Sequence, residues 1–204
     1  MFVTKIEPCG KTRFKIYLDE SFAFVLYKGE AARFGIRLGE EISEETVQKI
    51  REEVIYKRAR KRALHLLEDM DRTETELQEK LRQGLYPPDA VENAVSYVKS
   101  FGYLDDARYA EHFAASRSGS KSKKEIRALL ARKGVSAEMI DRALETGYGE
   151  DGEAEAIRQI LKKKRVDPAA ADPAQLQKIY GYLGRKGFSY EAVRQVIQNC
   201  CENA

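Results

Sequence analysis

Basic side chains are the residues whose type and spacing point most directly to chemistry in this chain, because dense Lys and Arg runs attract phosphate groups or acidic protein surfaces. Three runs lie along the sequence. The first consists of Lys57, Arg58, Arg60, Lys61 and Arg62. The second consists of Arg117, Lys121, Lys123, Lys124, Arg127, Arg132 and Lys133. The third consists of Lys162, Lys163, Lys164 and Arg165. We predict that these residues bind a protein partner or nucleic acid.

The overall charge limits what that partner is. The chain has 36 basic and 33 acidic residues, for a formal net charge of +3. A simple nucleic-acid-binding module is usually far more basic. The charge balance therefore favours a protein partner, including one that already holds nucleic acid. For any single run, a solvated helix face remains the plain alternative.

Residue patterns of common enzymes are missing from the sequence. There is no glycine-rich phosphate loop, nucleophile elbow or zinc motif, and only two histidines and three cysteines occur. We expect no catalytic residues, no metal and no cofactor, and reduced cysteines. The adjacent carboxylates Asp105 and Asp106 could hold Mg²⁺, but a helix N-cap is the favoured interpretation because Asp accepts from the first backbone amides.

An internal repeat predicts how the basic runs are positioned. The same apolar spacing occurs three times, with constant offsets of 49 and then 53 residues. The three sets are Leu77, Leu81, Tyr86, Val91, Val95; Ile126, Leu130, Val135, Ile140, Leu144; and Ile179, Leu183, Phe188, Val193, Ile197. A period of this size indicates stacked helical units that share a surface. Each basic run falls at a comparable place in its unit, so stacking would align the runs as one stripe.

The predicted fold class is mostly α, with tandem three-helix repeats in an elongated curved array. Alternating apolar residues before the first repeat predict a small N-terminal antiparallel β-meander that packs on the following helix or on the repeats. The predicted domains are residues 1–42 for the meander and a short helix, then repeats over 43–104, 105–147 and 153–204. The glycine-rich segment 147–152 reads as a short linker that permits a hinge.

Four aromatic residues cluster near the first repeat junction: Tyr97, Phe101, Tyr103 and Tyr109. Aromatic residues at helical spacing are more often core than base-stacking platforms. We therefore expect Phe101 and Leu104 to pack in the core. Tyr103 and Tyr109 could present hydroxyl groups at the surface, and the sequence leaves that open.

The segment from Ser100 to Ala110, SFGYLDDARYA, closely resembles the RecX family of recombination regulators. Flanking residues extend the resemblance from about Lys57 to Glu145, and more weakly to Ile197. The resemblance implies no catalytic set. It carries over a structural junction motif only, which consists of Gly102, Tyr103, Leu104, Asp105, Asp106, Arg108 and Tyr109.

The resemblance also implies a function. RecX proteins bind the groove of the RecA filament on single-stranded DNA and inhibit its ATPase, strand-exchange and coprotease activities, and some contact DNA directly. We expect a cytoplasmic, monomeric, non-enzymatic regulator with no membrane contact. The alternatives are a helical-repeat protein that binds single- or double-stranded DNA and competes with RecA for the strand, and a purely structural scaffold.

Overall fold

The computed structural model describes residues 1–149 and 151–202. It begins with a three-stranded antiparallel sheet in the order β1 (Val3–Pro8), β2 (Arg13–Leu18) and β3 (Ser21–Tyr27). Turns at Gly10 and at Asp19–Glu20, all with positive φ, reverse the chain between the strands. The predicted meander is confirmed.

Helix α1 (Lys28–Arg33) follows the sheet, and the first repeat begins at α2 (Glu44–Ile50), which Ser43 caps through the amide of Thr46. The chain then continues through a π-helical segment, Arg51–Tyr56, into α3 (Lys57–Asp69). The helix is thus continuous from Glu44 to Asp69 but contains a wider turn. The buried residues explain it, because Ile50, Ile55 and Ala59 are too far apart for one face of a regular α-helix.

The remaining helices complete three repeats. The first repeat ends with α4 (Glu74–Gln83) and α5 (Pro88–Ser100). The second contains α6 (Asp106–Arg117), α7 (Lys123–Arg132) and α8 (Ala137–Gly147), and the third contains α9 (Gly152–Lys163), α10 (Pro173–Arg185) and α11 (Tyr190–Glu202). Thirteen of the fifteen repeated apolar residues are buried, and Tyr86 and Ile179 are half-buried. The repeat register is therefore confirmed.

The chain forms two compact units, 1–105 and 106–204. Three hydrophobic cores lie within them. In the first unit, residues of the sheet such as Phe24 and Leu26 share one core with Ile55, Leu77 and Val95 of the repeat. The meander thus packs on the first repeat as well as on α1. In the second unit, the second and third repeats each have a core of their own.

The segment 147–152, interpreted from sequence as a short linker, contains two residues that are packed in the fold. Tyr148 is buried, and its hydroxyl donates a 2.6 Å hydrogen bond to the carbonyl oxygen of Lys121. A Cβ atom at Gly147 would lie 3.2 Å from backbone atoms of α6, so the glycine permits close helix packing. The glycine and the aromatic ring at these two residues therefore serve packing, and the hinge in this linker stays a prediction. Residue 150 lies outside the described residues.

Candidate partner-binding surface

The first basic run lies on α3, and two of its five basic side chains are paired within the fold. Arg58 donates two 2.5 Å hydrogen bonds to the Glu30 carboxylate and one of 3.0 Å to the carbonyl oxygen of Val25. Arg60 donates a 2.8 Å hydrogen bond to Asn93 and lies 5.0 Å from the centre of the Tyr97 ring. Both arginines are half-buried and hold α3 to neighbouring elements.

The other members of that run face solvent. Lys57, Lys61 and Arg62 are exposed. The first unit therefore presents three of the five predicted basic side chains of this run. Arg58 and Arg60 have structural partners in the fold, and those partners are 28 and 33 residues away in sequence.

Some basic side chains of the second run contact other residues of the unit, and others are exposed. Several of its members rest on aromatic rings or acidic side chains of the same unit: Arg117 on Phe113, Lys123 on Tyr148, Lys133 on Tyr109, and Arg127 with Asp141. Lys121 pairs with Glu125 at 2.5 Å. Lys124 and Arg132 are exposed on α7.

The third basic run ends α9 and continues into the following turn. Lys162, Lys163, Lys164 and Arg165 are all exposed. Lys164 lies 4.1 Å from the centre of the Tyr182 ring on α10, an attractive cation–π distance. Arg165 has φ +54°, so the chain reverses directly after the helix.

A groove in the second unit brings part of the second run together with part of the third. It has a cavity volume of about 530 Å³, and its charged lining consists of Lys121, Glu125, Lys163, Lys164 and Lys186. The remaining lining residues are Ser120, Gln159, Ile160 and Tyr182. Four ammonium groups thus face one carboxylate, and that carboxylate already pairs with Lys121.

Buried polar contacts fix the walls of this groove. Ser122 caps α7 by accepting from the amide of Glu125, and its hydroxyl donates a 2.6 Å hydrogen bond to the carbonyl oxygen of Lys186. The start of α7 is thereby tied to the turn after α10. The hydrogen bond from Tyr148 to Lys121 anchors the neighbouring backbone. The lysines therefore project from a rigid frame, which lowers the entropy lost on binding.

Lys186 and Tyr182 belong to this groove although sequence reasoning did not select them. A signal for Lys186 was present, because it stands 53 residues after Lys133 and so occupies the equivalent position in the next repeat. No pattern in the sequence pointed to Tyr182, and its contact with Lys164 links it to the basic residues of the groove.

The junction motif connects the two units in sequence. Leu104 is buried, and Asp106 is the first residue of α6, which puts Asp105 at the N-cap position. No group of acidic, His or Cys side chains suited to a metal ion occurs among residues 1–149 and 151–202. Tyr109 is half-buried against Phe113, with ring centres 6.2 Å apart, and Arg108 is exposed.

Two aromatic residues of the junction are exposed. Tyr103 has an exposed fraction of 55%, and Phe101 of 59%. The expectation that Phe101 packs in the core is therefore wrong. Gly102, with φ +70°, follows the C-terminal end of α5; Leu104, after this turn, is buried in the core, whereas Phe101, just before it, is exposed.

Comparison with known proteins decides the family. Family models match three segments, described as the first, second and third three-helix domains of RecX, over residues 59–97, 105–144 and 151–197. Regulatory protein RecX of Caldanaerobacter subterraneus subsp. tengcongensis is 30% identical over 199 residues, which cover 97% of this chain and 98% of the relative. The chain belongs to the RecX family.

Another relative and two solved structures agree over most of the chain. Regulatory protein RecX of Clostridium acetobutylicum is 29% identical, over 96% of this chain and 94% of that protein. A crystal structure of a regulatory protein RecX has a TM-score of 0.63 at 26% identity and covers 96% of this chain and 98% of its own. That of RecX from Lactobacillus salivarius has a TM-score of 0.60 at 22% identity, over 71% of this chain and 96% of its own, and shows the shared fold.

Family membership confirms the helical-repeat architecture and a regulatory role. The relatives are named as regulatory proteins, and none of these names describes an enzyme. Within the described part of the chain, no helix combines the length and apolar character needed to cross a membrane.

Proposed function

We propose that this chain is a non-enzymatic negative regulator of RecA. It would bind the RecA filament on single-stranded DNA as a monomer, in the cytoplasm, and inhibit the ATPase, strand-exchange and coprotease activities. Membership of the RecX family supports this role. A regulator of this kind needs a surface for a polyanionic assembly, because the filament contains a phosphate backbone and can present acidic protein surface.

The observation that carries the proposal is the groove lined by Lys121, Lys163, Lys164 and Lys186. Its four positive charges and single internally paired carboxylate make it a site for a negatively charged partner. The exposed basic residues of α3, which are Lys57, Lys61 and Arg62, form a second basic patch on the first unit. We infer that the groove and this patch contact the filament, and that contact by both units restrains motions coupled to ATP turnover.

The first experiment titrates the protein into RecA on a long single strand and records DNA-dependent ATP hydrolysis. We expect inhibition at amounts well below RecA, unchanged when free DNA is added. Inhibition only near DNA saturation, relieved by more DNA, would support the second candidate, which is competition for the strand. The same lysine groove keeps that candidate open, because phosphate contacts would suit it equally well. Absence of any inhibition would contradict both.

Charge reversal in the groove tests whether this surface is used. The variant Lys163→Glu/Lys186→Glu should raise the concentration for half-maximal inhibition by at least about tenfold, because like charges across an interface are strongly unfavourable. The control is Lys11→Glu/Lys28→Glu, which changes the same charge at exposed positions of the first unit. Equal inhibition by both variants would remove the groove from the mechanism, and circular dichroism would verify that both are folded.

A further inference from the structure

Phe101 and Tyr103 form an exposed aromatic surface that the regulatory role of the basic residues does not use. Their rings are stacked with centres 6.0 Å apart and an interplanar angle of 22°. More than half of each residue is exposed, at 59% and 55%. Neighbouring large aromatic residues are seldom left in solvent without a binding role, because burying them is favourable.

The two rings are the outer part of a longer row. Phe101 also contacts Tyr97, with ring centres 5.0 Å apart, and the guanidinium of Arg60 lies 5.0 Å from the centre of the Tyr97 ring. Arg60 is in turn held by Asn93. The row is thus anchored at Arg60 and Tyr97, which are half-buried, and exposed at Phe101 and Tyr103. We call Tyr97, Phe101 and Tyr103, together with Arg60 at their half-buried end, the aromatic row.

The backbone holds the exposed rings in place. At the end of α5, the amide of Gly102 donates to the carbonyl oxygen of Lys99, and the amide of Tyr103 donates to that of Val98. Gly102 has φ +70°, as such helix ends require. These two hydrogen bonds close the turn that carries Phe101 and Tyr103.

We propose that the aromatic row is a stacking platform for the bases of single-stranded nucleic acid. Exposed, nearly parallel rings accept nucleobases irrespective of sequence, because every base has a flat π face. Charge complementarity supports this occupant: Arg60 lies at one end of the row, and Lys57 and Lys61, which flank it on α3, are exposed and available to phosphates. The proposal rests on the proposed function, because binding to the RecA filament would bring the aromatic row close to the single strand that the filament holds.

Abasic oligonucleotides test the proposal, because they keep the phosphate charge and remove the bases. The measurement is fluorescence anisotropy of a labelled oligothymidylate and of its abasic analogue of equal length, without RecA. We expect the unmodified protein to bind the oligothymidylate about tenfold more tightly, as base stacking predicts. The variant Phe101→Ala/Tyr103→Ala should lose this preference while its affinity for the abasic strand is unchanged.

Two control variants make the result specific. Phe101→Tyr/Tyr103→Phe keeps both rings and should behave as the unmodified protein. Tyr190→Ala removes a 70% exposed tyrosine that pairs only with Tyr180 among the ring contacts of the described residues, and it should keep the preference for bases. Loss of the preference in Tyr190→Ala would show that the row is not the platform.

Other outcomes overturn the proposal without deciding the proposed function. Equal binding of the two strands by the unmodified protein, or no binding of either, would exclude base stacking. Loss of RecA inhibition in Phe101→Ala/Tyr103→Ala with oligothymidylate binding unchanged would identify the row as a protein-docking surface instead. ATPase inhibition by the same preparation of unmodified protein reports separately on whether the chain regulates RecA.

Discussion

Tyr148 is a buried side chain that holds the backbone of the basic groove in place. It is 1% exposed, and its hydroxyl donates to the carbonyl oxygen of Lys121, while Lys123 lies over the ring at 5.2 Å. Burial raises the pKa of the Tyr148 phenol well above its ordinary value, with a smaller contribution from Glu153. The neutral phenol is therefore the form that the folded protein prefers.

We predict that Tyr148→Phe destabilises the protein by about 1–3 kcal/mol at neutral pH, because the carbonyl oxygen of Lys121 loses its partner. The pH dependence follows from the raised pKa. The unfolded phenol ionises near its ordinary pKa of 10 and the folded one only above it, so this contribution to stability is complete below pH 10 and is lost as pH rises further. Urea denaturation should show a steeper loss above pH 10 in the unmodified protein than in Tyr148→Phe. Equal alkaline slopes would contradict the prediction.

The hardest feature to predict from the sequence was which basic side chains are exposed and which are paired within the fold. Composition and spacing identified the basic runs, yet Arg58 and Arg60 pair with Glu30 and Asn93, which are distant in sequence. A local pattern carries no information about such partners. The prediction for Phe101 failed because helical spacing indicated burial, but Phe101 lies at the C-cap of α5, beyond Val98, the last residue of that helix that is buried.

Elements were predicted more successfully, because their signals are local. The Thr73 and Glu76 capping box begins α4, and Pro88 opens α5, as their positions in the sequence indicate. The π-helical segment was missed, since it brings Ile55 and Ala59 onto the buried face of Ile50, and that depends on packing between distant segments. It widens one turn without ending the helix.

Gly187 offers a test of how elements pack around the groove. Its φ is +88°, and a Cβ atom there would lie 2.9 Å from the Ser122 hydroxyl and 3.0 Å from Lys124 Cβ. Gly187→Ala should therefore destabilise the protein by about 2–3 kcal/mol, through backbone strain and loss of the hydrogen bond from Ser122 to Lys186.

Gly184 is the matched control for that substitution. It lies in the last turn of α10, and apart from its chain neighbours and the backbone of its own helix, no atom comes within 4 Å of the position that a Cβ would occupy. Gly184→Ala should not destabilise the protein and should raise its stability by at most about 0.5–1 kcal/mol, because alanine loses less conformational entropy than glycine in a helix. Urea midpoints measure both changes, and a loss of similar size in the two variants would show that the contact around Gly187 is not the cause.

At the scale of the whole molecule, the two units differ in how their cores are built. The first has one core that includes the sheet and the first repeat, whereas the second has separate cores for its two repeats. Within the second unit, the hydrogen bond from Ser122 to Lys186 joins one repeat to the next. The repeat period predicted three equivalent units of helices; it could not show that the sheet and the first repeat pack together, because that depends on contacts between distant segments.

Separate cores predict separate responses to core mutation. Ile55 is 2% exposed in the first unit and Ile126 is fully buried in the second, so truncation to alanine at either should cost about 2–5 kcal/mol. Hydrogen exchange followed by mass spectrometry should show faster exchange in residues 1–105 for Ile55→Ala and, for Ile126→Ala, in the second repeat from Asp106 to Tyr148, which contains the core of Ile126. Because amide protection follows the stability of the local cooperative unit, each variant leaves the range of the other at its original rate. Faster exchange in both ranges from either substitution would mean that the two units unfold as one.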